Sequence, residues 1–181
     1  RFGRGLSVEY CGAARADRVV LEGNREYALF ATDPGSTLIL DDVVARDTLG
    51  GEATLLDGRG LSVQDDAHVE VNRGLFERNQ EIGVYASGSA TTVTLTDVVV
   101  RDTRSRDRDQ DGGRGLNVQW GARLSLTRGL VANNREFGVF VATDGSTVSL
   151  ADVVVRDTQP HDSLRWGRGI DVSLGAHLDA N

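Results

Sequence analysis

Apolar residues recur along the chain in short alternating runs, not in helical stripes. His68-Val69-Glu70-Val71, Leu75-Phe76-Glu77 and Gly83-Val84-Tyr85-Ala86 follow one another with turns between them. A period of two over three or four residues marks short strands with one buried face; an amphipathic helix would need a period of about 3.6. The inward positions extend through the chain. One set is Ala14/Ala16, Leu38/Leu40, Val69/Val71, Val93/Leu95, Leu124/Leu126 and Val148/Leu150. A second is Leu6/Val8, Leu29/Ala31, Leu61/Val63, Val84/Ala86, Leu116/Val118 and Val139/Val141.

These runs belong to a repeat. Gly-Arg-Gly-(Leu/Ile)-x-Val begins at Gly3, Gly58, Gly113 and Gly167, so that the start advances by 55, 55 and 54. The units are 3–57, 58–112, 113–166 and a partial 167–181, read as one domain over 1–181. Each unit divides again. Asn24, Thr48, Asn79, Thr103, Asn134 and Thr158 hold one position relative to the preceding apolar pairs, with steps that alternate between 24 and 31. A unit is thus a short coil followed by a long one. A single coil cannot bury its inward face, whereas stacking at the strand spacing of about 4.8 Å pairs every backbone group and builds a continuous core. The pattern predicts an all-β protein, a right-handed parallel β-helix of about seven coils with three short strands per coil and 55-residue double-coil repeats. A β-propeller is the rival, with blades of about 40–50 residues, but the shorter step and the fixed Asn/Thr register have no place in a blade.

Asn24, Asn79 and Asn134 sit where a tight turn closes a coil. In this the chain resembles the pectate-lyase-like right-handed β-helix superfamily, whose coils carry an Asn ladder. The resemblance spans essentially the whole chain and is one of architecture; the alternation of Asn with Thr departs from a continuous ladder. A polygalacturonase of that superfamily would add Asn-Thr-Asp, Gly-His and Arg-Ile-Lys motifs, and none occurs. The resemblance also implies, as the alternative function, a polysaccharide lyase, hydrolase or epimerase.

Composition narrows the partners. A formal charge of −7 argues against nucleic acid or an anionic membrane surface, both of which reward clustered positive charge. All 20 basic residues are Arg, which excludes a lysine base or Schiff base, and the single Cys11 cannot form an internal disulfide. No apolar stretch approaches the roughly 18 residues of a membrane-spanning helix, so membrane insertion is not expected. The chain opens and closes inside repeats, at Arg1-Phe2-Gly3-Arg4 and Ala180-Asn181. It therefore reads as a piece of a longer solenoid, secreted or displayed on a bacterial cell surface, whose open ends favour end-to-end self-association.

Three features could carry chemistry. Asp107-Arg108-Asp109-Gln110-Asp111-Gly112 sets Asp107, Asp109 and Asp111 as alternating hard-oxygen donors on a tight turn, the pattern of a Ca2+ loop. Its twelfth position is Val118 where an EF-hand has Glu, and Arg104, Arg106 and Arg108 interleave with the acids, so a charge-balanced solvated turn is the competing reading. Phe30, Tyr85 and Phe140 recur once per unit and point outward from one sheet, either as a sugar-stacking row or covered by the long turns. Arg4, Arg59, Arg114 and Arg168 form a third row, as ion-pair partners or as a site for acidic polysaccharide. The paired carboxylates Asp41-Asp42 and Asp65-Asp66 face opposite ways on a strand, and His68, His161 and His177 are scattered. Near-identical repeats therefore point to a non-catalytic structural, adhesive or glycan-binding β-helix, with one turn, 107–112, breaking the symmetry.

Overall fold

The computed structural model describes residues 3–162 and 164–181. Fourteen strands alternate between two parallel sheets, and among the described residues there is no helix. The first sheet contains β1 (Leu6–Val8), β3 (Tyr27–Ala31), β5 (Arg59–Gln64), β7 (Ile82–Ser87), β9 (Arg114–Gln119), β11 (Phe137–Ala142) and β13 (Arg168–Ser173). The second contains β2 (Ala13–Glu22), β4 (Thr37–Arg46), β6 (His68–Glu77), β8 (Thr92–Arg101), β10 (Arg123–Ala132), β12 (Thr147–Arg156) and β14 (His177–Ala180). In each sheet a strand pairs with the next one of the same sheet in chain order, which defines a parallel β-solenoid.

Both inward ladders form in the expected register. Leu38 pairs with Val69, Val69 with Val93 and Val93 with Leu124 on the second sheet; Leu29 pairs with Leu61, Leu61 with Val84 and Val84 with Leu116 on the first. These side chains are buried in one continuous core. Each large aliphatic so placed contributes roughly 1.5–3 kcal/mol.

The three runs read per coil appear as two strands, because the long strands of the second sheet bend halfway. Arg18, Asp42, Arg73, Asp97, Arg128 and Asp152 occupy the bend with φ between 54° and 58°. Leu75-Phe76-Glu77 is thus the second arm of β6, and its ladder with β8 resumes beyond the corner at Gly74 and Val98. A left-handed backbone is uncommon for Arg. Paired carboxylates offset the cost, since Arg73 grips Asp42 through Nε and Nη2 at 2.7 and 3.0 Å and Arg128 grips Asp97 at 2.8 Å through both.

The Asn/Thr positions close the other corner. Asn79 is fully buried, its Oδ1 accepting the Thr48 N–H at 3.1 Å and its Nδ2 donating to Ala45 O at 3.0 Å; Asn134 repeats this on Thr103 and Val100. The Asn of each short coil therefore satisfies the turn of the preceding long coil, and no stack of successive amides is required. The hydroxyls of Thr48, Thr103 and Thr158 are buried without hydrogen-bond partners among the described residues.

This corner also explains Gly-Arg-Gly. The first glycine has φ near +100° at Gly58, Gly113 and Gly167, a region closed to other residues. At the second, a Cβ on Gly60 or Gly115 would lie 2.7 or 2.8 Å from the Nδ2 of Asn79 or Asn134. The connections 23–26, 78–81 and 133–136 are tight, whereas 47–58, 102–113 and 157–167 are long and stand beside the first sheet.

Candidate functional site

The outward row of the first sheet runs Ser7, Phe30, Ser62, Tyr85, Asn117, Phe140, Asp171 in direct register. The three aromatics thus occupy every second strand, about 9.6 Å apart. They do not stand free. The Arg4, Arg59 and Arg114 guanidiniums lie 4.2, 4.3 and 4.5 Å from the ring centres of Phe30, Tyr85 and Phe140. Phe30 also stacks on Tyr27 at 4.8 Å and Phe140 on Phe137 at 4.9 Å. The two expected rows are one structure, in which each Arg of a long coil covers the aromatic of the following short coil.

Buried acids fix these arginines. Glu81 accepts from Arg59 Nε at 2.7 Å and from Arg106 Nη1 at 2.5 Å, and Glu136 takes Arg114 at 2.8 and 2.9 Å. Burial by itself would raise the Glu81 carboxyl, but the Arg59 and Arg106 charges and hydrogen bonds outweigh it and hold Glu81 below the ordinary glutamate range. Burial pushes the neighbouring Tyr27 phenol up to about 12.

Between the long connections 102–113 and 157–167 the outer face of the first sheet opens into a cleft of about 320 Å³. Its floor is Tyr85 on β7 with Asn117 and Gln119 on β9. One wall carries Arg106, Asp111 and Gly112; the other carries His161, Arg165 and Trp166. Trp166 is half exposed at the rim, its ring centre 6.0 Å from that of Phe137. His161 is buried, with Nδ1 at 3.8 Å from the Asp111 carboxylate.

The three turn acids do not come together. Asp109 is gripped by Arg106 at 3.0 and 3.1 Å and accepts the Asp111 N–H at 3.2 Å. Burial would raise its pKa, but these contacts lower it. Asp107 is exposed, and Asp111 turns to the cleft. Among the described residues no three His, Cys, Asp or Glu side chains cluster so as to hold a metal ion. In this arrangement Arg106 occupies Asp109, the central one of the three expected donors.

Of the three aromatics, Tyr85 alone lines the cleft, and of the three acids, Asp111 alone does. Asn117, Gln119, His161 and Trp166 were not singled out as binding residues by sequence. For Asn117, His161 and Trp166 the signal was a departure from the repeat, whereas Gln119 repeats Gln64. Asn117 replaces Ser7 and Ser62, His161 stands where Arg106 stands one unit earlier, and Ile82 replaces the aromatics Tyr27 and Phe137. The symmetry break extends from the turn across the sheet face.

The class defined by this fold is the parallel β-solenoid. Comparison with known proteins adds no narrower assignment: no family model matches the chain, and neither a curated protein nor a solved structure does.

Proposed function

We propose that the chain is a non-catalytic β-solenoid of a secreted or surface-displayed bacterial protein, right-handed like the pectate-lyase-like superfamily, and that it binds a glycan in the cleft between 102–113 and 157–167. The observation that carries this reading is the cleft itself. It is the place where an aromatic floor, a half-exposed Trp166 rim and side-chain amides meet on an otherwise repetitive, internally paired surface. The exposed ring of Trp166 with side-chain amides nearby is the kind of surface that receives a sugar ring and its hydroxyls, with Tyr85, covered by Arg59, closing the floor beneath.

The paired acids favour binding over chemistry. Glu81 is held ionised by two guanidiniums, the opposite of the raised pKa that a general acid needs at neutral pH, and Glu136 is committed to Arg114. The test is affinity electrophoresis through a panel of soluble polysaccharides, neutral and acidic, with Trp166→Ala beside the parent chain. Retardation by at least one polymer, lost in the variant and without release of reducing ends or unsaturated products, is the expected result. No retardation by any polymer would refute glycan binding. Steady product release would replace it with the enzymatic reading.

A further inference from the structure

Two outward polar residues of the first sheet, Ser62 and Asp171, are consumed by neighbours. Ser62 accepts from Gln64 Nε2 at 2.8 Å and from Arg59 Nη1 at 3.5 Å, and Asp171 is paired with Arg168. Asn117 and Gln119 occupy the positions of Ser62 and Gln64 one unit later, and there the pairing fails. Arg114 commits Nε and Nη2 to Glu136, and no Gln119–Asn117 bond takes the place of the Gln64–Ser62 one. Asn117 is only 2% exposed and its Oδ1 is buried without a donor. A buried acceptor left unpaired is destabilising, and the equivalent Ser62, with two donors in reach, has none. Both amides line the cleft.

We infer that Asn117 and Gln119 are the specificity-determining residues of the cleft, and that its ligand is a neutral sugar unit presenting adjacent hydroxyls. This inference rests on the glycan-binding reading above. Two carboxamides two residues apart on one strand face are about 6.7 Å apart along the strand, and each offers both a donor and an acceptor. A hydroxyl also donates and accepts, so a pair of hydroxyls on one ring can engage both amides. A carboxylated or sulfated unit is a poorer match. Of the four arginines that line the cleft, Arg59, Arg106 and Arg114 are paired with Glu81, Asp109 and Glu136, and the charge of Arg165 is matched in number by Asp111, so that the site carries no net positive charge in a chain of net −7. A polyanion would have to break these pairs or bind against the overall field. Trp166 at the rim supplies an apolar face for the ring.

The experiment compares neutral galactomannan, arabinoxylan and mixed-linkage β-glucan with acidic polygalacturonate and alginate, by affinity electrophoresis and calorimetry. The parent chain, Asn117→Ser, Gln119→Ala and the control Gln64→Ala are each run at low and high salt. Asn117→Ser installs the residue that β5 carries at this position, and a melting curve at or above the parental one certifies its fold. The expected result is binding of a neutral polymer, insensitive to salt, about three- to tenfold weaker in Asn117→Ser and in Gln119→Ala, and unchanged in Gln64→Ala. Binding of an acidic polymer alone, weakened by salt, would overturn the neutral-sugar inference while leaving glycan binding intact. Neutral binding that survives both cleft variants would overturn the role of the amides. No binding at all would overturn both readings.

Discussion

Replacing Asn79 by alanine removes two hydrogen bonds at once from a site with no water access. Thr48 N–H and Ala45 C=O lose their partners at 3.1 and 3.0 Å, and both lie in the buried corner. Each orphaned backbone group costs about 1–3 kcal/mol, and the vacated side-chain volume adds a small cavity term, so the expected loss is about 2–6 kcal/mol. The companion substitution is Thr103→Val. Its hydroxyl is buried with no partner among the described residues, so a methyl in its place should be neutral or slightly stabilising. Urea unfolding followed by far-UV circular dichroism measures both. Because stacked units contribute locally and through their interfaces, Asn79→Ala should lower the midpoint and can lower the slope as well if the stack begins to open in parts. The assignment of the corner to Asn bridging fails if Asn79→Ala loses less than about 1 kcal/mol, or if Thr103→Val loses as much as Asn79→Ala.

Other outcomes follow from the charges. Glu81 has a depressed folded-state pKa, so its contribution is in place above the ordinary glutamate value of about 4.3 and disappears as pH falls toward the folded value. The thermal midpoint should be flat down to about pH 5 and then drop, and Glu81→Gln should blunt the drop; an identical pH profile in that variant would refute the assignment. With Asp109 held by Arg106, Ca2+ should leave the melting midpoint where chelator leaves it; a calcium-dependent rise that Asp109→Ala abolishes would show that the turn rearranges into a metal site.

The ladders were legible because two independent periods agreed, the alternation within a strand and the recurrence between units. Val69 and Leu61 could be placed in their sheets from the pattern alone. The bend in the long strands was not legible, since Arg73 and Arg128 are not residues that advertise a left-handed backbone. Their stabilising partners, Asp42 and Asp97, lie one coil below. The cleft was half legible. Tyr85 was singled out in a sugar-stacking row and Asp111 as a Ca2+ donor, whereas Asn117 and Gln119 matter because of what their neighbours do not do, a property of pairing and not of sequence. Sequence also treated the aromatic and arginine rows as separate, because nothing in a one-dimensional pattern shows that a guanidinium from one coil lies over a ring in the next.

The bends of the second sheet alternate in charge, Arg18, Asp42, Arg73, Asp97, Arg128, Asp152, one residue per strand. That alternation works as a parity check on the stack. Deleting or inserting one coil would set Arg beside Arg or Asp beside Asp at a left-handed corner, where the side chains point the same way and cannot avoid each other. Deleting or inserting two coils restores the match. The smallest length by which such a solenoid can grow or shrink without a charge error is therefore the double coil, which is the very unit that the chain repeats.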